Sequence, residues 1–90
     1  MKKILVVGVG AQGSTIAKRM DEHPGISEII CADYDTKAAQ ELQRTLGKAK
    51  ALQLDARDGD RVTQAAQGCD LIVNGLPLEF NLIIMKAALA

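Results

Sequence analysis

The stretch Lys3-Ile4-Leu5-Val6-Val7-Gly8-Val9-Gly10-Ala11-Gln12-Gly13 constrains this chain more than any other. An apolar run rich in β-branched residues has the composition of a buried strand. It ends in three glycines spaced G-x-G-x-x-G, and Ser14-Thr15-Ile16-Ala17-Lys18-Arg19-Met20 then has the pattern of a helix. Strand, glycine turn and helix in that order form the setting of a dinucleotide-binding fingerprint. Gly8 permits a tight turn out of the strand, Gly10 lets a pyrophosphate approach the backbone, and Gly13 lets the helix lie close against the strand. The first-turn N–H groups of such a helix have no intrahelical acceptor and sit at the positive end of its dipole, which suits phosphate oxygens.

A glycine turn alone says little, because similar turns leave many strands. Glu28-Ile29-Ile30-Cys31-Ala32-Asp33 supplies the second half of the pattern. It reads as another strand, and its terminal acid falls 20 residues after Gly13. The fingerprint places an acid at about that distance, where it meets ribose hydroxyls.

Ninety residues make one domain with an adequate core. Eleven basic residues balance eleven acidic ones, so no charge surplus points to nucleic acid or to an anionic membrane. One Tyr and one Phe leave little for base stacking along a strand of nucleic acid. Cys31 and Cys69 have neither metal-ligand spacing nor the density of a disulfide scaffold, so reduced thiols and a cytoplasmic location are expected. Lys2-Lys3 before an apolar run resembles the start of a signal peptide, but the run leads straight into the glycine turn and reads as a strand. No stretch reaches the ~18 apolar residues of a membrane span.

Along the rest of the chain, His23-Pro24-Gly25 marks a turn, with His23 a solvated helix-end residue. Asp35 is placed to cap a helix carrying Ala38, Ala39, Leu42 and Leu46, with Gly47 as its carboxyl-terminal glycine. Ala49 to Asp55 reads as a third strand, nearer a sheet edge. Asp58 caps a third helix with Val62, Ala65 and Ala66 on one side, closed by Gly68. Asp70-Leu71-Ile72-Val73-Asn74 reads as a strand buried on both faces. Gly75-Leu76-Pro77 turns out of it, and residues 78–90 have the pattern of a largely buried helix. The expected fold is therefore α/β: a Rossmann-type doubly wound parallel sheet, βαβαβαβα, with strand order 3-2-1-4. Four strands where such a domain has six, and a last helix without a cap, lead to the expectation of a truncated dinucleotide-binding domain spanning 1–90. It would be the amino-terminal part of a longer enzyme.

The sequence resembles the saccharopine dehydrogenase and lysine dehydrogenase group. The resemblance rests on Val6-Val7-Gly8-Val9-Gly10-Ala11-Gln12-Gly13, Ala32-Asp33 and Leu54-Asp55-Ala56. Most telling is Asp70-Leu71-Ile72-Val73-Asn74-Gly75-Leu76-Pro77, followed by Met85-Lys86-Ala87-Ala88. It implies the cofactor-binding part of a nicotinamide-dependent oxidoreductase acting at a C–N bond of an amino acid or related amine. The substrate would be bound mainly by a following domain, so no catalytic residue is carried over to this chain.

In that setting Ala11, Gln12 and Gly13 offer N–H groups to the pyrophosphate. Asp33 accepts from both adenosine ribose hydroxyls, with Tyr34 beside it. Asp55 and Ala56 lie at the adenine edge, and Asn74, Gly75, Leu76 and Pro77 lie near the nicotinamide-side ribose. Asp55 reads equally well as a turn residue, and Pro77 as the first residue of a helix. Asp33 and Asp35, with no arginine between Asp33 and Gln43, favour NAD over NADP. The chain also resembles the nucleotide-sensing regulatory domains of potassium transport proteins, a non-catalytic alternative. Those favour Gly-Asp-Ala where this chain has Leu54-Asp55-Ala56. Association with further copies of the chain is left open.

Overall fold

The computed structural model describes residues 2–75. Seven elements follow one another: β1 (Lys2–Val7), α1 (Ala11–Asp21), β2 (Ile26–Asp33), α2 (Thr36–Thr45), β3 (Ala49–Gln53), α3 (Gly59–Ala66) and β4 (Leu71–Asn74). The strands are all parallel and lie in the order β3-β2-β1-β4, as expected from the sequence. The helix expected over 78–90, and Leu76 and Pro77 before it, lie outside the described residues.

Alternation along β1 divides the core in two, since successive side chains of a strand point to opposite faces. Ile4 and Val6 pack with Ile29 and Cys31 of β2 under Ala17 of α1 and Ala39 and Leu42 of α2. Leu5 and Val7 pack with Ala32, Leu54 and Ala56 under Val62 of α3. Helices thus cover both faces, as right-handed crossovers running first one way and then the other require. Leu5, Val6 and Ile29 are fully buried, each stabilising the fold by roughly 1.5–3 kcal/mol through the area removed from water. Burial also pushes the Cys31 thiol up to about 11, with the Asp21 carboxylate adding to the effect, so this cysteine stays protonated at neutral pH.

The caps follow their expected residues with one exception. Asp35 Oδ1 accepts from the Lys37 N–H at 3.0 Å, and Asp58 Oδ1 accepts from the Arg61 N–H at 3.3 Å. Gly68 has φ +81°, a left-handed closure after α3. Gly47 does not do the same for α2. That helix ends on an extended Leu46, whose N–H reaches the Leu42 carbonyl, and Gly47 has no positive φ. Two residues separate Leu46 from β3, so the chain runs directly into the next strand without a left-handed turn.

Strand β4 also departs from expectation. It is only half-buried, with Leu71 48% exposed, where its apolar centre had pointed to burial on both faces. Among the described residues β1 is its one strand neighbour, so it lacks the second flank that a central strand packs against. Asp70 fixes its start: Asp70 Oδ2 accepts from the Lys3 N–H at 2.9 Å, and the Asp70 N–H donates to the Lys3 carbonyl at 2.7 Å.

Candidate functional site

Every strand in a parallel sheet delivers its carboxyl end to the same edge, which is where such sheets bind ligands. Here that edge carries the exits of β1 (Gly8 to Gly13), β2 (Asp33, Tyr34), β3 (Leu54 to Arg57) and β4 (Asn74, Gly75).

Three glycines converge at the centre. Gly8 has φ +89°, a conformation that disfavours any side chain, and its N–H donates to the Ala32 carbonyl at 2.7 Å. The Gly8 carbonyl then points between Gly13 and Gly75. A Cβ on Gly13 would overlap the Gly8 carbonyl oxygen and lie 3.0 Å from its carbon. A Cβ on Gly75 would overlap the same oxygen and lie 3.1 Å from the Gly13 Cα. The Gly75 N–H donates to the Val7 carbonyl at 2.8 Å, so the exit of β4 is pinned against the glycine turn. Backbone meets backbone at this point, and only glycine leaves room.

Gly10 differs from these three. It is the N-cap of α1, and no atom lies within 4 Å of where its Cβ would stand. The first hydrogen bond of the helix runs from the Ser14 N–H to the Gly10 carbonyl at 2.9 Å, leaving the N–H groups of Ala11, Gln12 and Gly13 ahead of it. The first turn holds no acidic side chain. Open space over Gly10, donors that no described residue claims, and the positive end of a helix dipole together fit a pyrophosphate.

Asp33 faces this turn from the neighbouring strand. Its Oδ2 accepts from the Val9 N–H at 2.8 Å and its Oδ1 from the Asp35 N–H at 2.9 Å. The carboxylate therefore holds the glycine turn in place as well as lining the groove beside it. Each oxygen keeps a second lone pair for a hydroxyl donor.

Between the exits of β1, β2 and β3 lies a hollow of about 200 Å³ with an apolar floor of Val7, Ala32, Leu54 and Ala56. Its rim is formed by Asp33, Tyr34, Asp55 and Arg57. Asp55 does act in its own turn, accepting from the Arg57 N–H at 3.0 Å, yet it also lines the hollow. Its two oxygens grip the Arg57 side chain, Oδ1 with Nε and Oδ2 with a terminal nitrogen, each at 3.1 Å. Those bonds hold the Asp55 carboxyl below the usual carboxylate range and raise the guanidinium in turn. The pair is thus complete above the ordinary carboxylate value and is lost only as pH falls through the lowered one.

Arg57 is the rim residue that the sequence reading missed. Arg57 lies far from Asp33 in sequence, but the β3 exit is next to the β2 exit in space. The available signal was the Asp55-Ala56-Arg57 spacing, which suits a carboxylate–guanidinium fork across a turn.

A larger hollow, about 710 Å³, lies at the opposite end of the sheet beside Met20, His23 and Leu71. Its polar groups are turned to the fold: His23 Nδ1 accepts from the Gly25 N–H at 3.0 Å, and Asp70 binds the backbone of Lys3. Size alone does not make it the site. His23 itself is exposed at the end of α1, as expected.

Among the described residues no helix is long and apolar enough to cross a membrane. The fold is shared with solved dehydrogenase structures. Saccharopine dehydrogenase (L-Glu forming) from Saccharomyces cerevisiae superposes with a TM-score of 0.87 at 23% identity, over 98% of this chain and 19% of that one. Uronate dehydrogenase from Agrobacterium tumefaciens gives 0.71 at 24% identity, over 98% of this chain and 36% of that one. Quinate dehydrogenase from Corynebacterium glutamicum, solved in complex with NAD, gives 0.67 at 24% identity, over 84% and 27%. In sequence, UDP-N-acetylmuramoylalanine–D-glutamate ligase from Thermoanaerobacter sp. (strain X514) is 32% identical over 84 residues, 91% of this chain. The chain spans 18% of that ligase's length. A family profile described as the saccharopine dehydrogenase NADP binding domain matches residues 4–90. With that match and the dinucleotide-type edge described above, the chain belongs to the saccharopine dehydrogenase NADP binding domain family.

Proposed function

We propose that residues 1–90 are the nicotinamide-dinucleotide-binding part of a longer oxidoreductase that acts at a C–N bond of an amino acid or related amine. The observation that carries the cofactor half of this reading is the open face of Gly10 over N–H groups that no described residue claims, with the Asp33 carboxylate fixed beside it. Family membership supports the amino-acid half. The bound cofactor supplies the hydride chemistry, and this chain supplies position and charge. Ala11, Gln12 and Gly13 bind the pyrophosphate, Asp33 the adenosine ribose, Asp55 and Ala56 the adenine edge. Asn74 and Gly75, at the exit of β4 beside the glycine turn, stand on the nicotinamide side, and the same role is proposed for Leu76 and Pro77, which follow them in sequence. The amino-acid substrate belongs to a domain beyond these residues, so this chain alone binds cofactor without turning over any amino acid.

NAD is the preferred cofactor in this reading, although the family description names NADP. A 2′-phosphate would bring its charge beside Asp33. Like unit charges ~4 Å apart repel by roughly 1 kcal/mol in water and ~4 kcal/mol at an effective dielectric of 20. A tenfold preference needs only ~1.4 kcal/mol. Titration calorimetry with NAD and NADP is the test, and at least tenfold tighter NAD binding is expected. Asp33→Asn is the informative variant, because it removes the charge yet keeps an acceptor for the Val9 N–H, which Asp33→Ala would release. It should narrow the gap between the cofactors. Equal affinities in the unaltered chain would contradict the preference.

One observation favours a second reading, the 32% identity to a ligase named for a UDP-linked substrate. The same glycine turn could hold the pyrophosphate of a uridine nucleotide. UDP that displaced NAD and bound more tightly would favour it.

A further inference from the structure

The rim of the small hollow carries two exposed, flat side chains from neighbouring strand exits. Tyr34 follows β2 and is 67% exposed, and Arg57 follows β3 with its side chain 74% exposed. Long exposed arginines are usually mobile, but this one is held at both ends of its fork by Asp55. The two bonds orient the guanidinium while most of the side chain stays exposed. They also set a carboxylate directly against the positive charge, which weakens the pull on any further anion. Below lies the apolar floor of Val7, Ala32, Leu54 and Ala56. An apolar floor with planar rim groups suits a flat heteroaromatic ring better than a phosphate. Guanidinium planes stack well on such rings, and lysine cannot replace them there.

We propose that Arg57, held flat by Asp55, stacks on the adenine ring of the bound nucleotide, with Tyr34 on the adjoining rim, and so sets affinity for the base and not for a 2′-phosphate. The inference rests on the reading of this edge as a dinucleotide site and adds a residue that the glycine fingerprint does not contain. Asp55 acts here as a positioning residue for Arg57 in addition to its place at the adenine edge.

The test compares AMP with adenosine 2′,5′-bisphosphate, titrated into the unaltered chain, Arg57→Ala and Arg57→Lys. Arg57→Ala should weaken both ligands by the same factor, about tenfold, the scale of losing one stacked partner. Its melting temperature should not move, because the side chain is exposed. Arg57→Lys should fail to restore binding, since a point charge offers no plane and no fork for Asp55. A loss confined to adenosine 2′,5′-bisphosphate would make Arg57 a phosphate ligand and overturn the proposal. So would recovery in Arg57→Lys, or an Arg57→Ala variant that binds AMP as tightly as the unaltered chain. Failure of the unaltered chain to bind AMP would instead remove the dinucleotide reading itself, and the stacking role with it.

Discussion

Gly13→Ala should unfold this domain or lower its melting temperature by roughly 15 °C or more, although helix propensity alone predicts the opposite. Gly13 lies inside α1, where alanine is favoured over glycine by ~1 kcal/mol. The added Cβ would, however, overlap the Gly8 carbonyl oxygen, and Gly8 cannot retreat. It is held by its own N–H bond to Ala32, and Gly75 closes the far side of the same carbonyl. Relief therefore requires moving α1 off the sheet, which disturbs the Ala17 contact with Ile4 and Val6. Overpacking against backbone costs more than the ~1–3 kcal/mol of overpacking among side chains. A net loss of ~3–4 kcal/mol corresponds to the stated fall for a domain of this size. Thermal unfolding followed by circular dichroism reads it directly. A Gly13→Ala variant as stable as the parent would show that the helix does not lie as close to β1 as described.

Gly10→Ala, three residues earlier, should have the reverse profile. Its backbone angles, φ −68° and ψ −160°, suit any residue, and its Cβ would meet nothing. Alanine is a poorer N-cap than glycine, so a loss of up to ~1 kcal/mol is expected, a few degrees in melting temperature. The methyl group would stand where a pyrophosphate approaches the helix. Affinity for NAD should fall at least tenfold, a cost of only ~1.4 kcal/mol. Calorimetric titration beside the melting curve separates the two effects. Unchanged affinity would mean that the phosphates do not pass over this residue. The contrast between Gly10 and Gly13 is informative because one motif contains both: the fold requires Gly13, and the proposed ligand requires Gly10.

The sequence made the sheet legible because each strand carries its own signal. Four-residue apolar runs in β1 and β2 and the alternation of helix and strand dictate parallel pairing, and the glycine turn fixes β1 as the strand from which the order grows. The caps at Asp35 and Asp58 were equally local, depending on a side chain reaching an N–H two or three residues away. What sequence did not reveal was set by neighbours in space. Whether Gly47 takes a left-handed turn depends on how soon β3 must begin. Burial of β4 depends on what flanks it, not on the apolarity of Leu71-Ile72-Val73. Arg57 escaped notice because its relation to Asp33 runs across the sheet from β3 to β2. The structural duty of Asp33 was also hidden: its spacing from Gly13 raises the expectation of a ribose ligand, but only the fold shows the Val9 N–H that it holds.

The role proposed for the first turn of α1 is to receive the pyrophosphate of a nicotinamide dinucleotide. Nitrogen-15 amide spectra of this chain, recorded through a titration with NAD, test it residue by residue. Saturable shifts should be largest at Ala11, Gln12 and Gly13, whose N–H groups gain acceptors. A second set should appear at Tyr34 and at Asp55 to Arg57, while amides at the opposite end of the sheet, such as Gly25 and Lys48, stay unmoved. Saturable binding that left Ala11 to Gly13 unshifted, or that moved residues around His23 and Leu71 instead, would contradict the account.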